Sequence, residues 1–288
     1  MTVILVTGAT GFLGEHVLRQ LLASGSDILA FVRPGSRTGW LQQHAVGMRV
    51  GDLADRTSLQ SALRGVDVLF NVASLGFGHA ANIVAAAKAA GVGRAVFVSS
   101  ASVFTQLPAA SKPVRIQAER LITESGLNYT VLRPTMIYGA PRDRNIWRLI
   151  NHLRRWPVIP VVGRGDALQQ PVFVEDVATA VVRSAGADHA IGKAYNLAGA
   201  APLSFVQMID VTCARLGRNV TKIHLPPWMA RTGAAVFSRL GLRITPEQVA
   251  RIEEDKVFDI GAAAADLRYE PLDFEHGVAR ELQWLDKL

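Results

Sequence analysis

Three evenly spaced glycines near the N-terminus are the strongest chemical signal in the sequence. Gly8, Gly11 and Gly14 follow a β-branched segment at residues 3–7 and open an amphipathic helical pattern. Glycines at such a junction let the backbone approach a ligand closely, and the helix N-terminus offers free N–H groups to a pyrophosphate. The position between a strand and a helix is the context that a dinucleotide site requires. The predicted contact residues of this loop are Gly8, Thr10, Gly11, Phe12, Leu13 and Gly14.

The end of the second predicted strand should decide which dinucleotide binds. An NAD site places Asp or Glu about 20 residues beyond the glycines, to accept from the ribose 2′-OH. Here the strand ends in Arg33, followed by Arg37, and a guanidinium can pair with a 2′-phosphate instead. This favours NADP(H) over NAD(H), although an Arg33 that stacks on adenine or faces water would leave the choice open. Asp52 is a candidate to bond the adenine amino group or, alternatively, to cap the turn before Asp55.

The elements around these residues follow an alternating pattern. Short β-branched runs alternate with amphipathic segments of helix length, which is typical of β-α units that build a parallel sheet. After Gly139 the rhythm changes to prolines, arginines and tryptophans, which indicates a second lobe. We predict strands over residues 3–7, 28–33, 48–50, 68–72, 95–99 and 130–133, and helices over 13–23, 58–63, 79–90 and 115–124.

Composition sets outer limits on function. The chain has 288 residues, 49% of them hydrophobic and 19% charged, which suits a large core and excludes intrinsic disorder. Its single cysteine, Cys213, excludes an intramolecular disulfide framework and multi-cysteine metal sites, and we predict no metal. The net charge of +7 favours anionic partners. Without a recognisable signal peptide or spanning segment, the sequence predicts a cytoplasmic protein.

Several segments, taken together in their order, resemble one family. They are TGATGFLG from Thr7, Gly51-Asp52-Leu53, Asn71-Val72-Ala73, VSSASVF from Val98, LRPTMIYG from Leu132, PVFVEDVA from Pro171, EDKVFD from Glu254 and LRYEP from Leu267. This set resembles the extended and atypical short-chain dehydrogenase/reductase superfamily, which contains nucleotide-sugar epimerases, dehydratases and reductases. The resemblance implies an α/β fold with a Rossmann-type doubly wound parallel sheet in residues 1–138 and a return segment at about 168–198. It also implies a smaller, mainly helical substrate lobe in residues 139–288.

The resemblance further assigns roles to single residues. Ser100 falls at the family's active-site Ser/Thr, which hydrogen-bonds the reacting oxygen; the alternative is a strand-end hydroxyl that caps its own turn. The remaining cofactor residues that it implies are Leu53, Val72, Ala73, Ser74, Ser99 and Pro134. The substrate residues that it implies are His79, Thr135, Tyr138, Arg142 and Arg144.

The family's catalytic Tyr-x-x-x-Lys pair is missing. When Glu119 is aligned with the Glu that commonly follows that pair, Arg115 stands at the Lys position and Ser111 at the Tyr position. A tyrosine phenol can be tuned toward neutrality to pass a proton, whereas a serine hydroxyl cannot, and arginine stays protonated. Arg115 can still hold ribose hydroxyls. Lys112 and His79 are the available stand-ins, although a solvated lysine and a helix-start histidine are the commoner uses of such residues.

Two classes of function remain. The favoured one is hydride transfer between NADP(H) and a sugar-like carbonyl or alcohol substrate, with nucleotide sugars among the candidates. The alternative is a non-catalytic dinucleotide-sensing regulator or assembly factor that kept the cofactor site and lost the chemistry. In either case we expect a small anionic substrate or ligand and no nucleic acid, and a homodimer is the candidate assembly.

The second lobe leaves a further choice open. The amphipathic stretch at 228–244 could lie on an anionic membrane surface, where a lipid-linked or quinone-like substrate would be within reach. The same stretch could be a lid helix that packs on the sheet lobe, which is the favoured interpretation because packing is the commoner use of an amphipathic helix.

Overall fold

The computed structural model describes residues 2–23, 25–139, 143, 145–229 and 253–285. Its strands are β1 (Val3–Thr7), β2 (Asp27–Val32), β3 (Gly47–Val50), β4 (Val68–Asn71), β5 (Arg94–Val98), β6 (Tyr129–Pro134), β7 (Ile137–Tyr138), β8 (Val158–Val162), β9 (Leu168–Gln169), β10 (Val172–Phe173), β11 (Lys193–Leu197), β12 (Leu203–Ser204) and β13 (Thr221–Leu225). Its helices are α1 (Phe12–Leu22), α2 (Gly39–Gln43), α3 (Arg56–Ala62), α4 (Ala80–Ala90), α5 (Ser111–Thr123), α6 (Ile146–Arg155), α7 (Val174–Ala185), α8 (Phe205–Leu216), α9 (Gly261–Leu267) and α10 (Phe274–Leu285).

A seven-stranded parallel sheet forms the centre of the first lobe, in the order β11-β6-β5-β4-β1-β2-β3. The strand order changes direction between β1 and β4. In open α/β sheets a ligand crevice lies at such a point, at the carboxyl ends of the strands. The predicted Rossmann-type doubly wound sheet is therefore confirmed.

Both faces of the sheet are covered because side chains along each strand alternate. On β1, Val6 joins a core with α1, α7 and α9, whereas Leu5 joins a core with α3, α4 and α5 on the opposite face. Both side chains are fully buried, and each such side chain contributes about 1.5–3 kcal/mol relative to leaving it exposed. The alternation explains why the strands are almost continuously apolar.

Helix α5 begins four residues before the predicted start at Arg115. Pro113 lies in the first turn of the helix, where a missing N–H breaks no intrahelical bond. The longer helix places Ser111 and Arg115 one turn apart on the same element. The hydrogen bond between these two side chains depends on the earlier start of the helix.

The seventh strand of the sheet comes from beyond the first 138 residues. Strand β11 pairs in parallel with β6, and α7, which precedes it, packs against α1. Both lie within the return segment at about 168–198. The chain thus leaves the sheet after β6, enters the second lobe and comes back.

The second lobe is less helical than predicted. Around a core of α6, α8 and α10, the described residues also form two-stranded pairs of β7 with β10, β9 with β12 and β8 with β13. Pro160 lies inside β8, and a strand with one partner tolerates proline because its other edge needs no N–H donor. No helix in the described ranges has both the length and the hydrophobicity to cross a bilayer.

Candidate active site

The glycine loop is built so that side chains are excluded from it. Gly8 has a φ of +68°, and a Cβ on it would lie 2.6 Å from the backbone nitrogen of Ala73. A Cβ on Gly14 would lie 2.1 Å from the Gly8 carbonyl oxygen, which also accepts from the Gly11 N–H at 2.9 Å. No side chain caps α1 at Gly11. This cradle, with an uncapped helix start, fits a dinucleotide pyrophosphate.

A buried hydrogen-bond network supports the loop from below. The Thr7 hydroxyl donates to Asn71 Oδ1 at 2.7 Å, and both side chains are fully buried. Asn71 Nδ2 donates to the Ala73 carbonyl at 3.1 Å, so the ends of β1 and β4 are joined below the predicted nicotinamide channel at Val72 and Ala73. Neither Thr7 nor Asn71 was among the predicted site residues, although a polar residue at the end of an apolar strand is a usable signal.

The two arginines at the end of β2 face solvent. Arg33 directly follows β2 in a turn in which its carbonyl accepts from the Ser36 N–H at 3.1 Å. Arg33 and Arg37 are both exposed, and within the described ranges neither side chain has a hydrogen-bond or ion-pair partner. The structure therefore leaves both guanidinium groups available for an anionic ligand.

Asp52 caps its own turn. Its Oδ1 accepts from the Ala54 N–H at 2.8 Å, which is the capping alternative considered for this residue. The next residue, Leu53, is held through its carbonyl, which accepts from Asn82 Nδ2 at 3.1 Å. This segment thus connects the end of β3 to α4.

Two adjacent serines at the end of β5 have different surroundings. Ser99 donates to Glu119 Oε1 at 2.5 Å in the interior. Ser100 Oγ accepts from the Ser102 N–H at 3.2 Å and caps a short 3₁₀ turn, Ala101–Phe104. The predicted capping role is therefore present, and because it uses only an oxygen lone pair, the Ser100 hydroxyl proton remains free to be donated.

An ion pair braces the same wall of the site. Arg133 Nη2, on β6, lies 2.6 Å from Glu119 Oε2. The Cζ of Arg133 lies 5.2 Å from the centre of the Phe104 ring. Breaking a buried pair by removing one partner typically costs about 3–5 kcal/mol. From the sequence, Glu119 set only the register of the family motif on α5, and its pairing with Arg133 was not predicted.

Ser111 and Arg115 occupy the positions of the missing pair and bond to each other. Arg115 Nη1 donates to Ser111 Oγ. The guanidinium also lies against Gly76, in the 3₁₀ turn whose start is capped by Ser74, where Ser74 Oγ accepts from the Gly76 N–H at 3.2 Å. Neither a serine hydroxyl nor a guanidinium titrates near neutral pH. The pair can position a ligand but cannot exchange a proton with it.

The two stand-ins have different positions. Lys112 Nζ donates to the Thr105 carbonyl at 2.6 Å, at the end of the Ser100 turn. His79 occupies the N-cap position of α4 without a side-chain capping bond. Both are partly buried, and each is a candidate proton source.

A C-terminal strap, which we define as residues 254–258, holds the Ser100 turn from the second lobe. Glu254 Oε2 accepts from the Thr105 hydroxyl at 2.5 Å, and its Oε1 accepts from the Gln106 N–H at 2.6 Å. Phe258 packs on Phe104 with 5.7 Å between ring centres. The motif that contains Glu254 was noticed in the sequence, but no role followed from it.

The predicted substrate residues do not all lie together in one site. The Thr135 hydroxyl donates to the Gln170 carbonyl at 2.5 Å. Thr135 directly follows Pro134, which is buried at the end of β6. Tyr138 is fully buried between Phe173 and Phe274, and burial raises the pKa of its phenol. Its side chain is therefore part of the second-lobe core and does not reach the site surface. Arg142 and Arg144 lie outside the described residues.

The fold and the glycine cradle define a protein that binds a nicotinamide dinucleotide. Residues 8–152 match a family model described as NAD(P)H-binding. The chain is 30% identical over 275 residues to quinone oxidoreductase 2 of Escherichia coli, covering 92% of this chain and 89% of the relative. It is 28% identical to the decarboxylating sterol-4-alpha-carboxylate 3-dehydrogenase of Mus musculus, covering 84% of this chain and 76% of the relative.

Solved structures show the same fold. The crystal structure of gox2253 superposes with a TM-score of 0.81 at 24% identity, covering 100% of this chain and 98% of the other. The UDP-glucuronic acid 4-epimerase of Bacillus cereus, solved in complex with NAD, has a TM-score of 0.78 at 19% identity and covers 99% of both chains. This chain belongs to the NAD(P)H-binding family, within the atypical short-chain dehydrogenase/reductase superfamily.

Proposed function

We propose that this protein is an NADP(H)-dependent oxidoreductase that acts on a carbonyl or alcohol substrate. The observation that carries the proposal is the position of Ser100, at the carboxyl end of β5 with its oxygen bonded to the Ser102 N–H and its proton free. When bound, the cofactor supplies or accepts the hydride. Ser100 would donate a hydrogen bond to the reacting oxygen and so stabilise the charge that develops there.

The preference for NADP(H) rests on Arg33. Its exposed guanidinium follows β2, where NAD-binding relatives of this fold carry a carboxylate for the ribose 2′-OH. Arg33 and Arg37 would hold a 2′-phosphate through charge-assisted hydrogen bonds, which are roughly twice as strong as neutral ones.

Proton transfer would proceed without a tunable phenol. The hydrogen-bonded Ser111 and Arg115 pair supplies donors and positive charge but no acid. Loss of a positioned general acid typically lowers a rate by about 10²–10⁴. We therefore expect slow turnover, with water, Lys112 or His79 as the proton source.

The rim of the site bears on the substrate class. The sequence favours a sugar-like substrate, with nucleotide sugars among the candidates. In the structure, however, the two 3₁₀ turns beside α5 present the aromatic side chains of Phe77 and Phe104, which are 73% and 43% exposed. Exposed aromatic side chains at a cleft suit an apolar substrate body. The relatives named above include a quinone oxidoreductase and a sterol carboxylate dehydrogenase. We therefore propose an apolar carbonyl compound as the second substrate candidate.

The test is to measure NADPH oxidation with two sets of candidate substrates. One set contains nucleotide sugars, and the other contains quinones and alkyl ketones. We expect activity that falls by about 10²-fold or more in Ser100→Ala, as for removal of an oxyanion donor. Gly11→Asp should abolish both binding and activity, because the new carboxylate would repel the pyrophosphate. Full activity in Ser100→Ala would contradict the assigned role.

The non-catalytic alternative is favoured by one observation, the replacement of the acid–base pair by Ser111 and Arg115. A sensor or assembly factor would bind NADPH as the enzyme does, yet oxidise it with no member of either substrate set. Binding without turnover would therefore support the alternative, whereas no binding of NADPH or NADH would overturn both proposals.

A further inference from the structure

One surface of the second lobe carries apolar side chains that the site does not use. Strands β8 and β13 form a parallel ribbon in which Pro160 is the register partner of Ile223. Ile159 and Val161 point into the core and are buried. Lys222, the neighbour of Ile223, pairs with Asp210 on α8. Because side chains alternate along a strand, Ile223 projects from the opposite face, away from the core.

This outer face carries exposed apolar side chains on both strands. Val158 and Ile223 are 40% and 47% exposed. Trp156, immediately before β8, is 58% exposed, and Trp228 and Met229, shortly after β13, are 65% and 45% exposed. We call these five residues the ribbon face. Tryptophans at both ends of an apolar strip are typical of surfaces that lie at a membrane–water boundary.

The segment that contains α6 and β8 is basic. Residues 145–165, which include α6 and β8, contain Arg148, Arg154, Arg155 and Arg164 and no Asp or Glu. Helix α6 buries Leu149, Ile150 and Leu153, so its arginines face solvent. In the part of the chain that the structure describes, only Arg164 of these four forms an ion pair, with Asp166.

We propose that the ribbon face docks on the surface of an anionic lipid bilayer. The arginines would contact lipid phosphates, and the tryptophans with Ile223, Val158 and Met229 would enter the boundary between headgroups and acyl chains. Nucleic acid would also attract the arginines, and its bases would stack on tryptophan. Aliphatic side chains such as Ile223 and Val158 gain little from a nucleic acid, however, whereas hydrocarbon removes them from water. The combination of the two features favours the bilayer.

The experiment is co-sedimentation of the full chain with vesicles. One set is phosphatidylcholine alone, and the other is phosphatidylcholine with phosphatidylglycerol in equal parts. We expect binding to the anionic set that weakens as salt is raised, and little binding to the neutral set. Arg154→Glu with Arg155→Glu should lower the affinity by about tenfold or more, since each basic residue near an anionic surface strengthens the attraction to it. Ile223→Ser should lower it as well, without any change in charge.

Matched variants distinguish docking from unspecific attraction. Arg56→Glu with Arg64→Glu makes the same charge change at exposed positions of the first lobe, and Ile191→Ser removes an exposed isoleucine elsewhere. Both should bind vesicles like the unaltered protein, and melting temperatures should show that all variants fold. The proposal is overturned by absence of binding to anionic vesicles or by equal losses in the control variants. Displacement from vesicles by duplex DNA, with full DNA binding by Ile223→Ser, would assign the face to nucleic acid instead.

Discussion

The guanidinium of Arg115 lies against the backbone of Gly76, so that a Cβ on Gly76 would come within 2.9 Å of Arg115 Cζ. This contact joins α5 to the turn that follows β4. This turn begins directly after Ala73, whose backbone nitrogen lies beside Gly8 of the glycine loop. A lysine at this position would carry its charge on a single ammonium, whereas the planar guanidinium can bond Ser111 and a ligand at the same time.

Gly76→Ala should displace the Arg115 guanidinium at little cost in stability, because the group that must move is the end of a flexible side chain. We expect the melting temperature to change by less than about 3 °C and the affinity for NADPH to fall by about tenfold, as for loss of a charged hydrogen bond. Arg115→Met should weaken binding to the same extent. Gly93→Ala, which adds a Cβ without a close contact, is the control. Unchanged NADPH affinity in Arg115→Met would show that Arg115 does not hold the cofactor.

Gly8→Ala should abolish dinucleotide binding, because the new Cβ would collide with the Ala73 backbone and the φ of +68° disfavours any side chain. Gly25→Ala is a matched control, since Gly25 has a φ of +71° but open space around it. Fluorescence titration with NADPH should therefore separate the two variants by at least about tenfold in affinity, while both lose about 1 kcal/mol or more of stability to backbone strain. Equal affinities would mean that the loop does not hold the pyrophosphate.

Arg33→Asp should reverse the cofactor preference. Removing the guanidinium takes away the partner of the 2′-phosphate, and the new carboxylate can accept from the ribose 2′-OH of NADH. We expect the NADPH dissociation constant to rise by about tenfold to a hundredfold, as for one or two charge-assisted bonds, and that for NADH to fall. Arg64→Asp, an equal charge change at another exposed position, should leave both constants unchanged. If Arg33→Asp also leaves them unchanged, Arg33 does not read the phosphate.

Glu254→Ala should loosen the Ser100 turn, because the carboxylate holds Thr105 and the Gln106 N–H from the strap. Hydrogen exchange of the amides in residues 100–107 should accelerate by about tenfold or more, and NADPH affinity should stay within about twofold. Glu124→Ala removes an exposed carboxylate that pairs with Arg120 on α5 and serves as the control. Unchanged exchange in Glu254→Ala would show that the strap does not order the turn.

Glu281→Gln should stabilise the protein in mildly alkaline solution. Glu281 on α10 is fully buried, and burial beside the Asp143 carboxyl raises its pKa from 4.5 to about 9. The folded state therefore keeps the proton that the unfolded chain loses above pH 4.5, and the free energy of unfolding falls as pH rises from 4.5 toward 9. The amide has no proton to lose. We expect its melting temperature to exceed that of the unaltered protein by about 5 °C or more at pH 8.5, with a much smaller difference at pH 5.

Glu270→Gln provides the reference for that measurement, since it makes the same chemical change at an exposed position. It should follow the pH dependence of the unaltered protein. A Glu281→Gln variant whose melting temperature keeps the same slope with pH would show that the Glu281 proton is not linked to folding.

Local patterns in the sequence determined the elements of the first lobe and the cofactor loop. The glycines at 8, 11 and 14 permit a tight turn, and the change from alternating to helical periodicity on either side of them marks β1 and α1. The missing acid–base pair followed from the family resemblance, in which Glu119 sets the register, and a helix places Ser111 and Arg115 one turn apart. These features depend on neighbours within a few residues.

The contacts that shape the rest of the site join residues far apart in the chain, and only the tertiary structure decided them. Glu254 reaches Thr105 across 149 positions, and β11 completes the sheet beside β6 after the chain has passed through the second lobe. Arg133 finds Glu119 because packing brings β6 and α5 together. No local period encodes such pairings, since they follow from how all the apolar faces are buried at once. Tyr138 is a further example. The motif around it predicted a ligand contact, but the packing of the second lobe places its side chain in the core.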